Sequence, residues 1–152
     1  MGALVARELD GVALFRTVSD EARRALVERG QVRTFAAGET LMRQGDPSDT
    51  MQVILSGRVR VERAGEGREG PLVLAELGPN EIVGEVGILD GGARTATVTA
   101  LAPTRTLELH RTVIAVVLIQ YPAVAADLLR TLSRRLRSAD ELAEHLSREP
   151  PG

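Results

Sequence analysis

The chain has 152 residues, which is the length of one domain, and a 43% hydrophobic content that can fill a core. Aromatics make up only 2%, so that core must rest on Leu, Val, Ile and Ala. A formal net charge of −2 argues against a nucleic-acid-binding body. The absence of cysteine excludes disulfides and thiolate metal sites.

No apolar run approaches the roughly 20 residues of a membrane-spanning helix. The first residues, MGALVARELDG, lack the basic-then-apolar order of a secretory signal, so a cytosolic chain is expected. All 19 basic residues counted beside the two histidines are arginine. We take that as the codon bias of a GC-rich genome and not as an interaction signal.

Ser19 followed by Asp20 and Glu21 predicts a helix N-terminus. The helix should run past Leu26 and stop at Gly30, read as a C′ glycine. From Gln31 onward the apolar period shortens to two, with Val32, Phe35, Leu41, Val53, Leu55, Val59, Val61, Leu72, Leu74 and Leu77 in short runs. Turn residues separate them at Ala37-Gly38, Gly45-Asp46-Pro47, Ser56-Gly57, 65–71 and Gly78-Pro79-Asn80. Two more strands are expected around Ala96–Ala100 and Arg105–Leu109. Strands of this length and spacing predict a mainly β fold with flanking helices, a small antiparallel barrel or jelly roll, and the fold we expect is an eight-stranded antiparallel jelly-roll barrel of the cupin-like kind.

The helical period returns after His110, and Pro122 marks the first turn of a long last helix over about 122–147. In it Ala125, Leu129, Leu132, Leu136, Ala139, Ala143 and Leu146 recur at steps of four and three, a heptad seam that predicts a homodimer. Leu128 and Leu142 widen the stripe toward the chain's own barrel. Residues 148–152 should fray. The whole of 1–152 reads as a single domain.

The stretch GEVGILDGGARTATVTA, from Gly84 to Ala100, carries the chemistry. Gly84 and Glu85 open a short apolar segment, Gly91 and Gly92 form a loop, and Arg94, Thr95 and Ala96 lead into a strand. One cation with free backbone N–H groups on a tight turn suits a phosphate. A carboxylate beside it makes sense only if the ligand also offers a hydroxyl, as a ribose does.

Three segments together resemble the cyclic nucleotide-binding domains of the catabolite activator protein type. They are GETLMRQGDPSDTMQVILSGRVRV from Gly38 to Val61, LGPNEIVGEVGILDGGARTATVTA from Leu77 to Ala100, and the strand-then-long-helix ending with Arg134-Arg135-Leu136. The resemblance covers the chain from Ser19 to the last helix. It implies that Arg94 binds the cyclic phosphate and that Glu85 accepts the ribose 2′-OH. Gly84, Val86 and Gly87 would bring backbone close to sugar and phosphate, Thr95 and Ala96 would add a hydroxyl and an amide, and Arg135 would lean toward the ligand mouth.

Three departures from the family pattern, Val83, Gly87 and Ala93, should loosen the phosphate-binding segment without removing a contact. Ala139-Asp140 stands where the catabolite activator has a Thr-Ser pair on the adenine. Asp140 is therefore either a base reader or a solvated helix residue.

The expected function is binding of a cyclic nucleotide, cAMP before cGMP, with no cofactor, metal or catalytic set, in a sensory domain that is not an enzyme. The expected partners are the nucleotide, a second copy through the last helix and a protein output partner, without nucleic acid or membrane. The chain can stand alone or form one module of a regulator whose output domain lies elsewhere. A heme or other effector sensor and a degenerate dimerisation domain are the rival readings. A structural Arg94–Glu85 ion pair is the plain alternative to a site. The binding reading places the Arg94 side chain outside the core.

Overall fold

The computed structural model describes residues 19–65, 70–85, 88, 91–130, 132–134 and 137. Helix α1, Asp20–Arg29, starts as expected at Ser19, whose hydroxyl accepts from the Ala22 N–H at 3.2 Å. It buries Ala22 and Leu26, one turn apart on the same face. Gly30 ends it, but for a reason other than the expected one. Its φ of −86° is not left-handed. A Cβ there would lie 2.8 Å from Leu107 and 2.9 Å from Leu109, so Gly30 is small because strand and helix approach closely.

The strands are β1 Gln31–Phe35, β2 Thr40–Met42, β3 Thr50–Ser56, β4 Val59–Arg63, β5 Leu72–Leu77, β6 Ile82–Val83, β7 Thr97–Ala100 and β8 Thr104–His110. They form two four-stranded antiparallel sheets, ordered β1-β8-β3-β6 and β2-β7-β4-β5. Among the described residues every ladder stays within one of these sheets. The architecture is therefore mainly β with flanking helices, drawn as two sheets and not as one hydrogen-bonded barrel. Both strands expected near the end of the β region are present, at Thr97–Ala100 and Thr104–His110.

Strand β3 is buried on both faces, which explains its nearly unbroken apolar sequence. Met51, Val53 and Leu55 point into a cluster with Ala22, Leu26, Leu107 and Leu109. Ile54 points the other way, into a smaller cluster with Met42, Val59, Val83 and Val98 between the sheets. The first sheet is thus the shared wall of two cores.

Helix α2, Arg111–Gln120, is capped by His110, whose ring Nδ1 accepts from the Thr112 N–H at 3.2 Å. Helix α3 begins at Pro122, as expected, and is helical over 122–130 and 132–134. The two helices meet at 116°. Ile114, Val117, Val124 and Leu128 all join the cluster under the first sheet.

The face that α3 turns to its own core is therefore led by Val124 and Leu128, as the widened stripe anticipated for Leu128. Leu129 of the expected seam is 61% exposed. Leu136, Ala139, Ala143 and Leu146 lie outside the described residues, as do the helix beyond 137 and the tail. No single helix is long and apolar enough to cross a membrane among the described residues.

Candidate phosphate-binding site

Arg94 is placed by two turns laced together. Its N–H donates to the Asp46 carbonyl at 2.7 Å, and its own carbonyl accepts from the Gly45 N–H at 2.9 Å. Ala93 forms a bridge with Pro47 beside them. With both backbone groups satisfied, the Cα position is fixed and only the side chain is left to choose a direction. The flanks are held as well: Arg63 Nε donates to the Thr95 carbonyl, and the Gln44 N–H donates to Thr97 Oγ1.

The Arg94 side chain runs inward to the start of β3. Nη1 donates to the Thr50 carbonyl at 2.7 Å and to the Gly84 carbonyl at 3.3 Å, and Nη2 donates to Thr50 Oγ1 at 2.8 Å. Thr50 takes one hydrogen from each Nη and so occupies the end of the guanidinium. Gly84 takes the other Nη1 hydrogen. Among the described residues Nε–H and the second Nη2–H make no further bond, and they lie along one edge of the fork, the arrangement that matches two oxygens of a phosphate.

The residue is only 7% exposed. Burial lowers its pKa, opposed by the charges of Asp49, Glu108 and Asp46, in that order. The guanidinium nevertheless stays charged at any ordinary pH. This corrects the expectation that Arg94 lies outside the core. It is a buried cation whose partners are two carbonyls and a hydroxyl. Among the described residues no Arg94–Glu85 ion pair, the plain alternative, is seen.

Gly84 is required twice. Its φ is +81°, in the left-handed region, and a Cβ would sit 2.6 Å from Arg94 Nη1 and 3.1 Å from the Thr50 carbonyl. Glu85 follows it directly and is 5% exposed. Its carbonyl accepts from the Ile88 N–H at 3.4 Å, so the chain curls back after the carboxylate. Ile88 is buried in the helix-side cluster.

The structure thus brings Gly84, Glu85 and Arg94 to one end of β3. Thr95 is exposed, while Ala96 is 9% exposed and turns toward the interior. Val86, Gly87, Arg135 and Asp140 lie outside the described residues. Val83, the substituted position ahead of the glycine, packs in the cluster between the sheets. His110 caps α2 through its ring Nδ1.

Thr50 was missed from the sequence. A threonine opening an apolar strand gives no local sign of a cationic partner 44 residues away. Gln52 was missed too, although a polar residue inside Met51–Leu55 was a visible anomaly. It is 1% exposed and accepts from the Thr106 hydroxyl at 2.6 Å.

The region matches known proteins along most of its length. A "CRP-like cAMP-activated global transcriptional regulator" of Mycobacterium tuberculosis is 33% identical over 141 residues, which cover 91% of this chain and 62% of that protein. The crystal structure of Thermus thermophilus catabolite activator protein superposes with a TM-score of 0.80 at 34% identity, covering 89% of this chain and 63% of that one. The acetyltransferase Pat of Mycolicibacterium smegmatis is 43% identical over 75 residues, 48% of this chain and 22% of the enzyme. The chain therefore spans about 62% of the length of the regulator it matches. The family model for the cyclic nucleotide-binding domain matches residues 32–121, more than half of the sequence, and the chain belongs to that family.

Proposed function

We propose that the protein binds a 3′,5′-cyclic nucleotide reversibly, cAMP in preference to cGMP, and acts as a sensory domain without catalysis of its own. One observation carries this reading: the buried Arg94 fork, held at its end by Thr50 and Gly84, keeps one edge for an anion. Glu85 beside it suits the free 2′-OH of a cyclic phosphodiester. The preference for cAMP leans on the printed name of the Mycobacterium relative. The strand orders favour a jelly-roll description of the two sheets.

Occupancy would be relayed as a shift between two states of the last helix, driven by the ligand's differential affinity for them. Ile88 supports this route, because it packs with Ile114, Val124 and Leu128 while following the carboxylate by three residues. Its neighbour Leu89 lies outside the described residues. Exposed Leu129 supports a homodimer through α3. A cytoplasmic location and an output partner or domain complete the proposal.

The test is calorimetric titration with cAMP and cGMP after unfolding and refolding the protein to strip bound nucleotide. Arg94→Lys keeps the charge but loses the fork, and should weaken binding roughly 10- to 100-fold, the worth of about one hydrogen bond to a charged group. Failure of the refolded protein to bind either nucleotide would refute the proposal. So would unchanged affinity in a folded Arg94→Lys variant.

A further inference from the structure

The second sheet puts a further cation beside the phosphate site. Val59 and Val61 of β4 face the cluster between the sheets, and the ladder with β7 runs unbroken from Val59 to Glu62. By the two-residue period of a strand, Arg63 comes next on that inner face. It ends β4 where the face opens to solvent, and it is exposed.

Arg63 is held at both ends. The Ala64 N–H donates to Gln44 Oε1 at 2.8 Å, and Gln44 Nε2 donates to the Ala64 carbonyl at 3.2 Å. Gln44 itself donates to Thr97 Oγ1 and precedes Gly45, whose N–H is bonded to the Arg94 carbonyl. At the tip of the side chain, Arg63 Nε donates to the Thr95 carbonyl at 3.1 Å. Among the described residues the Nη groups make no further bond. A planar set of N–H donors, reachable from solvent, therefore stands beside the backbone that follows Arg94.

The groups that suit phosphate and ribose belong to the opposite wall. Thr50 opens β3 and Gly84-Glu85 follow β6, and both strands are in the first sheet. A nucleotide held there by phosphate and sugar has its base left to offer the second sheet, whose inner face presents Val61 and then Arg63.

We infer that Arg63 is a specificity-determining residue, whose Nη groups donate to a purine base with acceptors at O6 and N7. The inference rests on the cyclic-nucleotide reading and deepens it. Two parallel N–H groups match the O6 and N7 pair of guanine bidentately. Adenine offers N7 alone, beside an amino group that repels the second donor. Arg63 thus narrows the preference for cAMP, and its removal widens it.

The experiment compares wild type, Arg63→Ala and Arg63→Met, all refolded free of nucleotide, with thermal unfolding recorded for each. The methionine keeps an apolar stem and removes the donors, which separates hydrogen bonding from packing. The probes are cAMP, cGMP, inosine 3′,5′-cyclic phosphate and ribose 3′,5′-cyclic phosphate without a base. Inosine shares O6 and N7 with guanine and lacks its 2-amino group.

Both variants should lose about tenfold in affinity for the guanine and inosine probes, and stay within about twofold for cAMP and the base-free probe. Equal losses for every probe would overturn the assignment and make Arg63 an aid to the phosphate or a clasp on Thr95. Unchanged affinity for the guanine and inosine probes would overturn it too. So would a wild type that binds cAMP but neither of those two, and in both cases the phosphate site still stands. Absence of binding to every probe by the wild type would remove the cyclic-nucleotide reading and this inference with it.

Discussion

Replacing Gly84 by alanine separates two penalties that usually arrive together. The backbone there has φ +81°, a conformation that costs an L-residue roughly 1–2 kcal/mol. The new Cβ would also fall 2.6 Å from Arg94 Nη1. The guanidinium must move to relieve that contact, and doing so endangers a charged hydrogen bond worth about 1.5–3 kcal/mol. Together these predict a loss of roughly 2.5–5 kcal/mol, falling toward the backbone term alone where the side chain escapes cheaply.

Gly38→Ala is the matched control. Its φ is +89° and nothing lies within 4 Å of the added carbon, so it should lose only the backbone term. Urea unfolding of both variants measures the difference, with the slope of the transition checked for constancy. Gly84→Ala should be the less stable by at least about 1 kcal/mol, by the hydrogen-bond term above. It should also bind cyclic nucleotide more weakly, whereas Gly38→Ala should bind as wild type. Equal losses in stability would refute the close packing of Gly84 on Arg94.

Two further outcomes test the scaffold. Gly30→Ala puts a Cβ 2.8 Å from Leu107 and 2.9 Å from Leu109, and overpacking of that kind should cost about 1–3 kcal/mol in chemical denaturation. If the glycine were instead a helix-ending residue of ordinary kind, alanine at its φ of −86° would be neutral or mildly stabilising. His110→Ser replaces a ring nitrogen by a hydroxyl of higher N-cap preference, and should raise stability by about 0.5–1 kcal/mol in the same assay. A decrease would mean that the imidazole does more than cap α2.

Local signals were legible where local physics decides. Ser19 with two acids gave the start of α1, and Pro122 gave the start of α3. Alternation and turn residues gave the strands but not their assignment to two sheets, since sheet order depends on pairings distant in sequence. Gly84, Glu85 and Arg94 stood out because a glycine, an acid and a lone arginine on a turn suit a phosphorylated sugar, and the structure brings Gly84 and Arg94 into contact. Thr50 was not, because a hydroxyl that accepts from Arg94 looks like any strand threonine until β3, β6 and the turn at Gly45 are brought together. The burial of Arg94 was misjudged for a similar reason: a charged side chain reads as external unless its carbonyl partners are known. Gly30 was located correctly, yet its cause, the nearness of β8, lies 77 residues onward at Leu107 and only the packing reveals it.

Strand β3 is a partition one backbone thick. Thr50 and Gln52 belong to the compartment that holds Arg94, while Met51 and Val53 belong to the one the helices fill. A single peptide plane joins each residue to a neighbour on the opposite side, so neither compartment can be repacked while the other stays still. Anyone who redesigns the helix contacts will retune the surroundings of Arg94 unasked, and libraries that vary one side should vary both.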